Sequence, residues 1–154
     1  MNTLKGNILD VREGIICHQV NCKGKMGAGL AKAIRNKFPN TYHDYMKAFQ
    51  ADRLKLGNII ISFPDPNLFP NLLVAHLCGQ ENYWPRDKVH TDYNALRTAI
   101  SNVRIAREEY IGITNHYLDV YFPFKIGCGL AGGDWDIVSK IIEEELPKAI
   151  IVRL

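Results

Sequence analysis

The fold is decided by two glycine-rich stretches, Asn21-Cys22-Lys23-Gly24-Lys25-Met26-Gly27-Ala28-Gly29-Leu30 and Ile126-Gly127-Cys128-Gly129-Leu130-Ala131-Gly132-Gly133-Asp134-Trp135. Each follows an apolar, strand-like run and precedes a helix-like pattern. A glycine loop lets backbone N–H groups approach a ligand closely, and the helix behind it adds the positive end of its dipole. Taken alone, the first stretch is equally well read as a tight turn between a strand and a helix, whereas the four glycines in seven residues of the second cost more entropy than a plain turn requires. Two such glycine-rich stretches in equivalent positions predict a ligand whose diphosphate is bound from both sides.

The rest of the chain alternates between strand-like and helix-like patterns. We predict strands at 2–5, 14–20, 58–63, 72–77, 118–122 and 149–153, and helices at 30–38, 40–51, 91–109 and 134–146. Thr91 is the expected N-cap of the third helix, and the short Pro- and Asn-rich connection after the third strand predicts a hairpin. The pattern therefore predicts one domain over residues 1–154, a three-layer α/β/α fold around a central mixed, mostly parallel sheet of about six strands.

Composition narrows the class of protein. A hydrophobic content of 47% and a charged content of 23% over 154 residues are ordinary for a soluble globular domain. The net charge of +3, spread over scattered basic residues, argues against a nucleic-acid-binding domain. The four cysteines show neither a Cys-x-x-Cys pair nor a histidine at zinc-ligand spacing, so we expect no metal and no cofactor. Without a signal peptide or an apolar run long enough for a bilayer, we expect a cytoplasmic monomer with reduced thiols and no membrane contact.

In their order along the chain, these motifs resemble macrodomains. The stretch from Lys5 to Leu9 and the stretch from Ile16 to Ala31 are similar to the opening and the first binding loop of that family. Residues 122–130, followed by Trp135, look like the second binding loop. The Gly-Cys-Gly-Leu sequence is most similar to the terminal ADP-ribose glycohydrolase and its bacterial DNA-deribosylating relatives. The Lys-Gly-Asn-Ile-Leu opening and the His-x-x-Asn-Cys strand end also resemble yeast-type ADP-ribose 1″-phosphate phosphatases.

The resemblance implies a role for each matching position. Asn7 would accept a hydrogen bond from the adenine amino group, and the backbone N–H of Ile8 would donate to the base. Asn21 would orient the ribose nearest the reacting bond. Backbone N–H groups are implied at Gly27, Ala28 and Gly29 beside that ribose and at Gly127, Cys128, Gly129 and Leu130 around the diphosphate. Trp135 would form a wall of the ligand site or pack in the core.

One departure from the family pattern bears on catalysis. The glycohydrolase subclass has an acidic residue directly after Gly-Cys-Gly-Leu and pairs it with a lysine that follows the fourth strand. This chain has Ala131 in the first position and no lysine between Cys78 and Trp84. Asp134 is the only carboxylate nearby, and it is either a reserve proton acceptor or the N-cap of the last helix.

Five further residues have two interpretations each. His18, in the middle of a strand, is either a packed histidine or a base. Lys23 and Lys25 either attract a terminal phosphate of the ligand or are solvated loop charges. Tyr83 and Trp84 form either an aromatic lid over the ligand or ordinary surface packing.

Two functional hypotheses follow from the resemblance. In the first, the chain binds ADP-ribose or a derivative and hydrolyses a bond at its terminal ribose, with Asn21 and Asp134 as catalytic residues. The candidate substrates are ADP-ribose 1″-phosphate and ADP-ribosyl esters. In the second, the chain is a non-catalytic reader of ADP-ribosylated macromolecules, or a sponge for an ADP-ribose-type signal. In either case, nucleic acid is expected only as an ADP-ribosylated substrate.

Overall fold

Six strands form one sheet in the order β1-β6-β5-β2-β4-β3 in the computed structural model, which describes residues 1–154. The strands are β1 (Asn2–Lys5), β2 (Gly14–Asn21), β3 (Ile59–Ser62), β4 (Leu72–Gln80), β5 (Val120–Pro123) and β6 (Ile150–Arg153). Every neighbouring pair is parallel except β3 and β4, which form the predicted antiparallel hairpin. The predicted mixed, mostly parallel sheet is therefore confirmed.

Four helices cover the two faces of this sheet. They are α1 (Gly29–Lys37), α2 (Pro39–Gln50), α3 (Tyr93–Thr114) and α4 (Trp135–Glu145). Since successive side chains of a strand point to opposite faces, the apolar runs of β2 and β4 supply two separate cores. Ile16 and Val74 pack with α1 and α2 on one face, whereas Ile15 and Ala75 pack with α3 and α4 on the other. The predicted α/β/α layers are confirmed.

The direction of the chain reverses between the two central strands, β2 and β5. From β2 the chain passes through α1 and α2 towards β3 at one edge of the sheet, and from β5 it passes through α4 to β6 on the other side. Parallel strands whose following helices lie on opposite faces leave a crevice beyond their carboxyl ends, where α/β proteins bind ligands. Both glycine loops lie at this crevice, the first (residues 22–28) after β2 and the second (residues 124–134) after β5.

The start of α3 differs from the prediction. The side chain of Asp92, rather than that of Thr91, caps the helix by accepting a hydrogen bond from the backbone N–H of Ala95. The prediction of Thr91 was wrong because its hydroxyl is used by the second glycine loop, where it donates to the carbonyl oxygen of Gly127 at 2.6 Å. The helix also runs five residues beyond the predicted end at Glu109, to Thr114, where Asn115 takes the left-handed conformation that ends it.

The helices can also be compared with what a membrane-spanning helix requires. None of the four has the length and apolar character that crossing a bilayer requires.

Candidate ligand-binding site

A cleft of about 700 Å³ opens between the two glycine loops. Its walls come from the end of β2, from both loops, from α1 and α2, and from the segment around Tyr83 and Arg86. Four cationic side chains line it, Lys25, Arg35, Arg86 and Lys125, and no aspartate or glutamate does. A cleft with this charge distribution favours an anionic ligand.

The side chain of Asn21 holds the first glycine loop in shape. Its Oδ1 accepts hydrogen bonds from the backbone N–H groups of Lys23 at 3.0 Å and of Lys25 at 3.3 Å. Its Nδ2 donates to the carbonyl oxygen of Lys25 at 2.8 Å. The hydroxyl of Tyr45 donates to the Asn21 carbonyl oxygen at 2.6 Å, which fixes the residue from the α2 side. Since an amide nitrogen carries two hydrogens, one N–H of Asn21 stays available at the cleft wall.

Beyond this bracing, the first loop presents free backbone donors. The N–H groups of Gly27 and Ala28 make no hydrogen bond within the protein, and neither do those of Gly29, Leu30 and Ala31 in the first turn of α1. No side chain caps α1, in contrast to α3 and α4, which are capped by Asp92 and Asp134. An uncapped helix N-terminus combines unpaired donors with the positive end of the helix dipole. This end of the cleft is therefore suited to an anion.

Hydrogen bonds from Gln19 and Thr91 support the second glycine loop. The Nε2 of Gln19 donates to Thr91 Oγ1 at 3.0 Å, and that hydroxyl donates to the Gly127 carbonyl oxygen at 2.6 Å. Gly127 has a φ of +72°, and a Cβ there would lie 2.8 Å from Gln19 Oε1. The N–H groups of Gly129, Leu130 and Ala131 have no partner within the protein. The second loop thus presents a second set of donors across the cleft from the first.

Seven of the predicted site residues line the cleft. They are Asn21, Gly27, Ala28, Gly29, Gly127, Gly129 and Leu130. Lys25 and Tyr83 line it too, whereas Trp84 lies outside the lining and is 67% exposed.

The two residues predicted to contact adenine do not line the cleft. Asn7 uses its side-chain oxygen to accept from the backbone N–H of Leu9 at 2.9 Å, which caps the short 3-10 turn Ile8–Asp10. Ile8 is buried in the core beneath α1 and α2. The adenine contacts of both residues stay predictions.

Four other predicted site residues lie outside the cleft lining. Lys23 forms a surface ion pair with Glu81 at 3.1 Å. Cys128 is half-buried, its thiol donates to the Ile126 carbonyl oxygen at 3.3 Å, and burial raises its pKa to about 11. The ring of Trp135 packs edge-on against Phe124 with ring centres 5.2 Å apart. Asp134 accepts from the backbone N–H of Asp136 at 2.8 Å as the N-cap of α4.

Several residues that line the cleft were not predicted from the sequence. Gln19 and Arg35 were not singled out, although a polar residue inside an apolar strand is a signal that could have found Gln19. Tyr42 and Met46 of α2 line the cleft as well, because α2 packs beside the first loop. Their helical spacing predicts only that they lie on one face. Arg86 lies in a segment without periodicity, so no local pattern could place it.

Comparisons with known proteins agree with this geometry. A family model described as the macro domain matches residues 17–142. The chain is 26% identical over 131 residues to a protein of Candida albicans named ADP-ribose 1″-phosphate phosphatase, covering 84% of this chain and 80% of that protein. It is 23% identical over 145 residues to a protein of Thermus aquaticus named DNA ADP-ribosyl glycohydrolase, covering 93% of this chain but 37% of that longer protein.

A solved structure has the same fold. The macrodomain of Mycobacterium tuberculosis DarG matches 99% of this chain and 95% of its own with a TM-score of 0.76 at 18% identity. The matched family model covers most of the chain, including both glycine loops, the second half of β2 and all of β5. The chain therefore belongs to the macro domain family.

Proposed function

We propose that the chain binds ADP-ribose or a derivative in the cleft and hydrolyses a bond at the terminal ribose of that ligand. One observation carries the proposal: two sets of unpaired backbone N–H groups face a cleft lined by four cations and no carboxylate. A diphosphate offers oxygens to both loops at once and carries the negative charge that this lining favours. The two named relatives act on ADP-ribosyl compounds according to their names, which agrees with this ligand class.

In this proposal each glycine loop binds a different part of the ligand. In the second loop, Gly127, Gly129 and Leu130 hold the diphosphate together with the uncapped end of α1, whereas the N–H of Cys128 already bonds the Lys125 carbonyl oxygen at 2.9 Å. Gly27, Ala28 and the remaining N–H of Asn21 lie beside the terminal ribose. Catalysis then depends mainly on positioning. A water molecule held near the anomeric carbon or the phosphorus is already oriented for attack, which lowers the activation free energy of hydrolysis. ADP-ribose 1″-phosphate and ADP-ribosyl esters are the proposed substrates.

A second candidate function is a non-catalytic reader or sponge for ADP-ribose. The observation that favours it is the absence of a carboxylate from the cleft. Ala131 replaces the acid of the glycohydrolase pattern, and Asp134, the reserve proton acceptor of the hydrolytic hypothesis, is engaged as the N-cap of α4. Without a general base, a hydrolase loses a factor of about 10²–10⁴ in rate.

Two measurements on the same preparation separate these functions. Isothermal titration calorimetry with ADP-ribose measures binding, and phosphate release from ADP-ribose 1″-phosphate, beside cleavage of an ADP-ribosyl ester, measures turnover. We expect binding together with turnover of one of these substrates. Binding without turnover on either substrate would select the reader or sponge. Absence of any heat of binding would remove ADP-ribose as the ligand and both functions with it.

A further inference from the structure

The lining of the cleft extends from the first glycine loop onto the facing sides of α1 and α2. The lining residues there are Ala31 and Arg35 on α1, and Tyr42 and Met46 on α2. In each helix the two residues are four positions apart, so they lie on one face. We call this part of the cleft, together with Lys25 of the first loop, the α1–α2 groove. None of its side chains contributes to the contacts proposed for the diphosphate and the terminal ribose.

Helix α2 is fixed next to Asn21. The hydroxyl of Tyr45 donates to the carbonyl oxygen of Asn21 at 2.6 Å and lies 3.1 Å from its Oδ1. Tyr42 and Met46 flank Tyr45 along the same helix. On the other side, the side chain of Asn21 donates to the carbonyl oxygen of Lys25 at 2.8 Å. The α1–α2 groove therefore adjoins the residue that the proposed function puts beside the terminal ribose.

The guanidinium of Arg35 lies over the ring of Tyr42, with its central carbon 3.9 Å from the ring centre. This cation–π contact holds a long side chain that would otherwise sample many rotamers. The five N–H donors of a guanidinium lie in its plane, so a ring against its face leaves them free to bind. Arg35 forms no ion pair within the protein. Its donors are therefore available, in the planar arrangement that binds two oxygens of one phosphate.

Lys25 adds a second cation without a partner. Its ammonium group forms no ion pair, whereas that of Lys23 pairs with Glu81 at 3.1 Å. Of the two lysines that the sequence offered for a terminal phosphate, only Lys25 is therefore free and on the cleft. A phosphate monoester carries a charge of about −1.5 to −2 at pH 7, whereas the bond of an ADP-ribosyl ester carries none at the same position. Two unpaired cations in a lining without carboxylates favour the phosphate.

Arg35 lies six residues after the start of α1 at Gly29, about 9 Å further along the helix axis. The start of α1 is one of the two places proposed for the diphosphate, and a ribose with a phosphate on its anomeric carbon bridges a gap of this order. We propose that Arg35 and Lys25 bind the phosphate on the terminal ribose of ADP-ribose 1″-phosphate, and that Tyr42 is a positioning residue that holds the Arg35 guanidinium in place. The inference rests on the proposed function and narrows it, because this subsite selects the 1″-phosphate over an ADP-ribosyl ester.

Calorimetry with two ligands tests the subsite. One is ADP-ribose, and the other is a phosphonate analogue of ADP-ribose 1″-phosphate in which a methylene group replaces the bridging oxygen, so that no phosphate can be released. We expect wild type to bind the phosphonate about tenfold more tightly than ADP-ribose, and Arg35→Gln to lose most of that ratio. Lys32→Gln is the matched control, because it removes the same charge from an exposed position of α1 outside the cleft lining. It should keep the wild-type ratio.

Variants of Tyr42 test the positioning role with the same two ligands. Tyr42→Leu removes the ring under the guanidinium and should lower the ratio of the two affinities, whereas Tyr42→Phe keeps the ring and should keep the ratio. Arg35→Lys keeps the charge without the planar donors, so its ratio should lie between those of wild type and Arg35→Gln.

The possible failures are distinguishable. Equal affinity of wild type for the two ligands, or a wild-type ratio in Arg35→Gln, would overturn the subsite. A wild-type ratio in Tyr42→Leu would refute the positioning role. Failure of wild type to bind either ligand would refute the proposed function itself.

Discussion

The hydroxyl of Thr91 donates to the carbonyl oxygen of Gly127 at 2.6 Å, across 36 positions of the sequence. The Thr91 hydroxyl oxygen itself accepts from Nε2 of Gln19 at 3.0 Å, so Thr91 links β2 to the second glycine loop. Gly133 also donates its backbone N–H to the Gly127 carbonyl, at 2.9 Å. The shape of the second loop therefore depends on a side chain just before α3 as much as on its own glycines.

Replacing Thr91 tests this dependence. Thr91→Val keeps the shape of the side chain but leaves the Gly127 carbonyl with one donor fewer and removes one of the two acceptors of Gln19 Nε2, the other being Gln80 Oε1 at 2.9 Å. We expect the free energy of unfolding to fall by about 1–3 kcal/mol and ADP-ribose affinity to fall with it. Urea denaturation and calorimetry give the two values. Thr98→Val is the control, since the Thr98 hydroxyl only bonds the carbonyl of Asn94 within α3. Equal losses in the two variants would contradict the role of Thr91.

The two alanine variants of the second loop should differ. Gly127→Ala puts a Cβ 2.8 Å from Gln19 Oε1 at a φ of +72°, where an L side chain is strained. Strain of this kind costs about 1–3 kcal/mol. At Gly129 no atom lies within 4 Å of an added Cβ, so Gly129→Ala should unfold at the wild-type temperature. Thermal unfolding followed by circular dichroism compares them, and a wild-type Tm for Gly127→Ala would show that the loop can adopt another conformation.

Asn21 should affect the order of the first loop as well as the ligand. Asn21→Ala removes the bonds to the backbone of Lys23 and Lys25, so the N–H groups of this loop lose their common orientation. Asn21→Asp keeps the acceptor oxygen but loses the donor to the Lys25 carbonyl. We expect both variants to weaken ADP-ribose binding, Asn21→Ala more so, by about tenfold or more. Asn40→Ala is the control, since the Asn40 amide bonds the Phe63 carbonyl oxygen and neither residue lines the cleft. Unchanged affinity in Asn21→Ala would exclude loop bracing as a contribution to binding.

Local patterns predicted the elements and the glycine loops, because apolar periodicity and glycine spacing are properties of adjacent residues. The N-cap of α3 could not be predicted from local patterns. Thr91 and Asp92 are both good caps, and only the distant Gly127 carbonyl decides which of them is free. The contact between His18 and His76 likewise depends on a distant relationship, the pairing register of β2 and β4. The sequence could mark His18 as unusual, but its partners come from strand pairing.

The buried histidines predict a loss of stability in mild acid. Their pKa values are lowered in the folded state, to about 3 for His76, whereas an exposed histidine in the unfolded chain titrates near 6.5. The unfolded state therefore binds more protons below pH about 6.5, and each such proton removes about 1.4 kcal/mol of stability per pH unit. The contribution is complete above pH about 6.5 and is lost as the pH falls towards the folded-state values. Urea denaturation between pH 7 and pH 5 measures the slope. His43→Gln, at an exposed position of α2, should keep it, and a flat profile in the wild type would contradict neutral burial of the pair.

Asp134 can be tested separately as a helix cap and as a proton acceptor. Asp134→Asn keeps an oxygen for the Asp136 N–H but cannot accept a proton, whereas Asp134→Ala loses both abilities. Because the carboxylate caps α4 and does not line the cleft, we expect Asp134→Asn to retain wild-type stability, ADP-ribose affinity and kcat. Asp134→Ala should lose about 1 kcal/mol of unfolding free energy. Denaturation curves and phosphate release from ADP-ribose 1″-phosphate give these values. A drop in kcat of a hundredfold or more in Asp134→Asn at unchanged KM and stability would instead establish the carboxylate as the general base, since that is the order of its typical contribution.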